Sequence, residues 1–196
     1  MTPCVGAVVE GHGEVSALPV LIRRIAEEHG HYGVRTTQPH RLPRAEMTGS
    51  KVAKAVRMQR LRAGQGGVVV VLCDADDDDP QKVRRLTLEA LGGIQTVVAV
   101  AVREYEAWFL AAAESLRSHT AVRDDASFDG DPERPRDAKG RLEQIMTESY
   151  KETLHQVRFT GVMSLEAARG RSPSFAAFEH DLLVALGGRD GSADRA

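Results

Sequence analysis

The segment GGVVVVLCDADDDDP, residues 66–80, sets the strongest limit on how this chain can fold. Four valines and a leucine in succession leave no polar side for water, so the run reads as a strand buried on both faces of a sheet. Five of the next seven residues after Cys73 are aspartates. Like charges repel, and a carboxylate beside a dry core is costly to ionise unless something pairs with it. Either arginine and water neutralise this cluster, or a metal ion does.

The rest of the first 118 residues supplies partners for such a strand. CVGAVVE (4–10) is a second apolar run ending in an acid. Residues 16–29 carry Leu18, Leu21, Ile22 and Ile25 at helical spacing, with Ser16 as expected N-cap and Pro19 in the first turn. A weaker strand is expected over 34–39, followed by a loop, and a helix runs from Ser50 to about Arg62. Pro80 opens another helix to about Leu91, IQTVVAVAV (94–102) reads as a buried strand, and REYEAWFLAAAESL continues as a helix. This β-α-β-α-β-α-β order predicts an α/β, Rossmann-like, mainly parallel sheet with helices on its faces.

Beyond residue 118 the pattern changes. Residues 119–136 read as a long exposed loop. A helical C-terminal extension is expected over 137–186, with helices near 137–151 and 173–186, and residues 187–196 read as a disordered tail. A chain of 196 residues suits one domain of 1–118 with this extension, and 42% hydrophobic with 5% aromatic content implies an aliphatic core. No apolar run approaches the roughly 20 residues that span a bilayer, and MTPCVGAVVEGHGE lacks a basic leader, so no membrane association and a cytoplasmic location are expected. Cys4 and Cys73 are expected as buried free thiols, without zinc-ligand spacing. The net charge of −2 argues against a uniformly basic nucleic-acid binder, although arginine outnumbers lysine 21 to 5.

In parallel sheets, ligands bind at the carboxyl ends of strands. Three acidic groups sit at such ends: Glu10 and Glu14 in EGHGE, Asp74 and Asp76 in DAD, and Glu104 and Glu106 in REYE. If those strands are neighbours, Glu10, Asp74 and Asp76 converge. Oxygen donors of this kind suit Mg²⁺ or Mn²⁺. Glu14 would reach the same ion or a second, giving the two-ion clamp used on phosphodiesters. Gly11 and Gly13 would let the turn pass close to a phosphate. The bland alternative gives Asp77, Asp78 and Asp79 to the start of the following helix, where negative charge is favourable. A basic row, Arg41, Arg44, Lys51, Lys54, Arg57 and Arg60, is either a solvated face or a nucleic-acid contact beside the acids.

VVEGHGEVSALPVLIRRI, VVVVLCDADDD and VAVREYEAWFLA resemble the TOPRIM-like domains of bacterial defence proteins. These include the OLD nucleases and a family of small stand-alone proteins related to AriB of the PARIS anti-phage systems. FTGVMSLEAARGRSPSFAAFEHDL also looks typical of that stand-alone family. The resemblance implies a TOPRIM-like fold in which Glu10, Asp74 and Asp76 bind Mg²⁺ and Glu14 serves a second ion. It further implies that Glu106, or alternatively Glu104, supports the site from behind, and that Lys139 stabilises charge developing on phosphorus. Tyr105 and Trp108 read as packing residues, and His12 as a turn residue. The resulting expectation is a Mg²⁺-dependent nuclease acting on DNA or RNA in phage defence. It would be controlled by an AAA-type ATPase partner, because the chain has no GxxxxGK[ST] loop of its own, and would act as a homo-oligomer. The rival is a non-catalytic subunit of the same fold that binds an ATPase partner or nucleic acid.

Overall fold

The computed structural model describes residues 3–187. Its sheet is built from β1 (Cys4–Val9), β2 (Arg35–Thr36), β3 (His40–Arg41), β4 (Val68–Asp74) and β5 (Val97–Ala101). All pairings between these strands are parallel, in the order β2-β1-β4-β5, with β3 also beside β1. The expected strand over 34–39 is thus two short pieces on one edge, pairing with Cys4–Val5 and with Val8–Val9.

Strand residues alternate between two cores because successive side chains point to opposite faces. Val68, Val70 and Leu72 pack with Val9, Ala99 and Ala101 under one helical layer. Val69, Val71 and Cys73 pack with Val8, Val98 and Val100 under the other. The second layer comprises α2 (Arg44–Met47), α3 (Ser50–Ala63) and α4 (Pro80–Leu91). The first contains α1 (Glu14–Glu28), α5 (Glu106–Ala111), a 3₁₀ turn (Ala113–Ser118), α6 (Ala138–Gln144), α7 (Glu152–Val162), α8 (Leu165–Arg171) and α9 (Pro173–Gly187). Cys73 is buried and Cys4 half-buried, and both are free thiols.

Several local expectations change. Helix α1 starts at Glu14 with Gly13 as N-cap, so Ser16 is not the cap and Pro19 lies inside the helix. The segment after β5 does not run straight into a helix. Arg103 takes a left-handed φ of 66°, and α5 begins only at Glu106. The helix expected over 137–151 stops at Gln144, and α7 and α8 lie where no helix was expected. The segment 119–136 is irregular but only partly exposed, since Ala121, Val122 and Ala126 enter the core and Val122 bridges to Met146. The expected tail lies outside the described residues, apart from Gly187, the last residue of α9.

The C-terminal helices share one continuous core with the sheet. Trp108, fully buried, stacks on Phe178 of α9 at 5.6 Å and donates its indole N–H to Ser174 at 2.9 Å. Tyr105 is equally buried and bonds Thr160 of α7 at 3.0 Å. Both aromatic residues are therefore packing residues with satisfied polar tips. At the outer edge of the sheet, Arg84 donates to the Val98 carbonyl at 3.3 Å and ion-pairs with Asp181 at 2.8 Å. A charged clasp of this kind discourages another strand from adding to β5. No helix among the described residues is long and apolar enough to cross a membrane.

Candidate metal centre

From β1 the chain crosses through α1 to β2 and β3 on one side, then returns over α3 to β4 on the other. The carboxyl ends of β1 and β4 therefore flank the point where the winding direction reverses, the usual ligand crevice of open parallel sheets. The fixed register, Val9 opposite Leu72 and Asp74 opposite Ala101, delivers Glu10 and Asp74 to that crevice.

Four carboxylates gather there. Glu14, at 1% exposure, turns back from the first turn of α1 and accepts the Glu10 and Gly11 N–H groups, each at 3.1 Å. Burial pushes its pKa up to about 8, against the help of the Gly11 N–H, and the charges of Glu106 and Glu10 add to the rise. Asp74 accepts the Tyr105 N–H at 2.9 Å. Burial, followed by the charges of Glu14, Glu106 and Glu10, holds it well above the usual carboxylate range. Glu106 is fully buried, its Oε1 accepting from Tyr150 Oη at 2.7 Å and Gln156 Nε2 at 2.8 Å. Burial raises its pKa too, opposed by Lys139. Glu10 is raised by burial, opposed by Arg44, while Asp76 adds to the rise.

Asp76 is more open, its side chain 56% exposed, and its φ of 50° is left-handed. That backbone costs of order 1 kcal/mol for a residue other than glycine. It is fixed by hydrogen bonds between the Asp76 N–H and the Arg103 carbonyl at 2.8 Å and between Arg103 Nη1 and the Asp76 carbonyl at 3.1 Å. The next three acids are matched locally: Asp77 pairs with Arg103 and Arg136, Asp78 with Arg44, and Asp79 caps α4 through Gln81 N–H.

Lys139 reaches the cluster from α6. Its ammonium lies 3.0 Å from Glu152 and 3.7 Å from Glu104. Burial works to lower its pKa, but the negative charges of Glu106, Glu152 and Glu104 outweigh it and the net shift is upward. Glu104 also accepts the Lys139 N–H, so it ties α6 to the end of β5. Sequence reasoning missed Tyr150, Glu152 and Gln156, which approach from α7 and the segment before it. Their only signal was polar residues at helical spacing.

The basic row divides. Arg44 enters the acidic rim, donating to the carbonyls of Asp74 and Ala75 and lying 3.5 Å from Glu10, 3.9 Å from Asp76 and 3.0 Å from Asp78. Arg41 donates to the Glu10 carbonyl at 3.3 Å. Lys51 stands at the start of α3 and pairs with Glu46. Lys54 and Arg57 lie on the exposed face of α3, which leads away from the crevice at about 1.5 Å per residue. Arg60 bonds the Gln95 carbonyl just before β5, at the amino ends of the strands and away from the crevice.

Of the glycines of EGHGE, Gly13 serves close packing against α7, and Gly11 faces the Glu14 carboxylate. A Cβ at Gly13 would lie 2.2 Å from Gln156 Oε1 and 2.7 Å from the Glu152 carbonyl. Gly13→Ala is therefore expected to cost about 1–3 kcal/mol by overpacking, lowering Tm by roughly 3–10 °C. Gly11→Ala is expected to cost less, because its nearest neighbour at 2.9 Å is the movable carboxylate tip of Glu14. Thermal denaturation of the two variants checks both, and equal melting temperatures would contradict this packing.

The donor set fits a hard divalent cation. All its atoms are oxygens, ionising the cluster needs a compensating charge, and the buried Glu106 Oε2 has no hydrogen-bond partner. Among the described residues, no three acidic, histidine or cysteine side chains converge on one point as placed. Filling the site therefore requires side-chain rotation, with Arg44 giving way.

A parallel α/β sheet with an acidic crevice at its switch point and a helical C-terminal extension defines the class of this protein. The model of a family described as Domain of unknown function (DUF4276) matches residues 9–183, and the chain belongs to that family. No curated protein matches it at a significant level. Among solved structures it is similar to the C-terminal region of the Burkholderia pseudomallei OLD protein, with a TM-score of 0.47 and 17% identity over 94% of this chain and 97% of that one. It is also similar to the C-terminal region of the Xanthomonas campestris pv. campestris OLD protein, with a TM-score of 0.42 and 15% identity over the same shares.

Proposed function

We propose that the protein is a Mg²⁺- or Mn²⁺-dependent nuclease that hydrolyses phosphodiester bonds in DNA or RNA. The observation that carries this reading is the gathering of Glu10, Glu14, Asp74 and Glu106 at the switch point, where burial raises the pKa of each and neighbouring carboxylates raise Glu14 and Asp74 further. A fold gains nothing in stability from such crowding, which is how functional sites differ from structural ion pairs. Glu10, Asp74 and Asp76 would hold the principal ion, and Glu14 with Glu106 a second. Such ions supply a nucleophile at neutral pH and offset charge on the phosphate.

The chain's own groups complete the chemistry. Lys139, already surrounded by carboxylates, places a fixed positive charge beside the crevice. Arg41, which donates to the Glu10 carbonyl, stands at its rim, where a phosphate backbone would pass, and Lys51 on α3 would extend that contact. A role in phage defence and control by an AAA-type ATPase follow from the TOPRIM-like resemblance of the sequence and belong to the same proposal.

The test is cleavage of labelled single- and double-stranded DNA and RNA with millimolar Mg²⁺ or Mn²⁺, by the wild type and by Glu10→Gln. Metal-dependent cleavage that falls at least about 100-fold in the variant supports the reading. Cleavage unchanged by the substitution rejects it. One observation favours the non-catalytic reading, namely Arg44 lying among Glu10, Asp76 and Asp78 where a cation would be needed. A folded wild type that gives no binding heat with either metal, alone or with oligonucleotide, would place that reading first.

A further inference from the structure

Beside the crevice, three chain segments meet on a single carboxylate. Arg136, from the irregular segment before α6, grips Asp77 through both nitrogens of its fork, with Nε to Oδ1 and Nη2 to Oδ2 each at 2.7 Å. Arg103, from the turn after β5, adds a third bond to Oδ1 at 2.8 Å. The Asp77 and Arg136 side chains are 63% and 74% exposed. A pair so open to water adds little stability, so the grip of Arg136 on Asp77 contributes little to the fold, whereas Arg103 also holds the Asp76 backbone. Arg103, moreover, is held there in a left-handed conformation that costs free energy. A guanidinium fork fits carboxylate and phosphate oxygens alike.

We infer that Arg103 and Arg136 form a phosphate-binding pair at the rim of the crevice, with the Asp77 carboxylate holding the place of the phosphate until substrate arrives. The ligand is a backbone phosphate of a nucleic-acid strand, next to the one that enters the crevice. The inference rests on the nuclease reading above and deepens it. Asp77 immediately follows Asp76, so a strand bound by the pair is in register with the acidic site. When the phosphate binds, the Asp77 carboxylate turns out to water and no covalent bond changes. The pair is distinct from the basic row of α3, which leads away from the crevice.

The test is a mutant cycle on binding rather than cleavage. Oligonucleotide affinity is measured with Ca²⁺ replacing Mg²⁺, for the wild type, Asp77→Ala, Arg136→Ala and the double variant. Asp77→Asn serves as a second variant of unchanged shape, and melting curves check folding. Asp125→Ala is the control, because Arg123 grips Asp125 with the same bidentate geometry between exposed residues of one loop. Asp77→Ala is expected to tighten binding roughly 3–10-fold and to steepen the salt dependence by about 0.7 for a single strand. Both gains are expected to vanish when Arg136 is also replaced.

An equal gain from Asp77→Ala with and without Arg136, or from Asp125→Ala, would mean general charge repulsion and would overturn the inference. Inorganic phosphate, followed through the arginine Nε–H resonances, separates this result from failure of the nuclease reading. Phosphate that shifts those resonances in Asp77→Ala, with no oligonucleotide bound by any variant, would keep the phosphate pair and reject the nucleic-acid ligand. No response to either probe overturns both.

Discussion

Replacing Asp74 with Asn is expected to make the protein more stable at pH 8 while abolishing divalent-cation binding. Asp74 sits among Glu14, Glu106 and Glu10, and burial together with those charges holds its pKa far above normal. Asn keeps the acceptor for the Tyr105 N–H and removes a carboxyl that folding at pH 8 must either ionise in a dry, crowded place or protonate. Replacing it by a neutral group of the same shape gains about 1–4 kcal/mol, or roughly 3–10 °C in Tm for a chain of this size. The same substitution deletes a proposed ligand at the end of β4, so calorimetric titration with Mn²⁺ or Mg²⁺ is expected to lose its heat. A site that costs stability in order to hold a cation behaves in this way. A variant less stable than the wild type at pH 8, still binding metal, would show that Asp74 is a structural acceptor only.

The second large effect is on pH dependence. Glu10, Glu14, Asp74 and Glu106 all have folded-state pKa values above their ordinary ones, with Glu14 at about 8 against 4.5. Below about pH 4.5 both folded and unfolded chains hold these protons, and the stabilising contribution is complete. As pH rises, the unfolded chain releases protons first, so stability falls until the folded groups ionise. Tm is therefore expected to drop by roughly 5–10 °C between pH 5 and pH 8.5. Saturating Mn²⁺ or Mg²⁺, which replaces those protons, is expected to recover more stability at pH 8 than at pH 6. Glu14→Gln flattens the curve. Melting points that stay level or rise across this range would show that the cluster is already compensated within the protein.

Much of this was legible in the sequence, for reasons that particular residues make plain. Val68–Leu72 and Val97–Ala101 are continuous apolar runs because both faces of β4 and β5 are covered, so the parallel sheet announced itself. Glu10 and Asp74 could be placed together because strand ends mark the crevice in any open parallel sheet. Helix α7 was hidden by its surroundings. Its buried face holds His155, Gln156 and Thr160 beside Phe159, and these polar residues bond Glu148, Glu106 and Tyr105. A helix that packs against carboxylates cannot show an apolar stripe. The early start of α1 has a related cause. Glu14 takes over the N–H groups of Glu10 and Gly11 that a capping serine would leave to water.

The carboxylates of the crevice are encoded between residues 10 and 106, whereas the groups that enclose them, Lys139, Tyr150, Glu152 and Gln156, come last along the chain. A chain cut short before residue 139 would therefore lose the Lys139 charge and the Tyr150 and Gln156 hydrogen bonds together, along with helices that cover one face of the sheet.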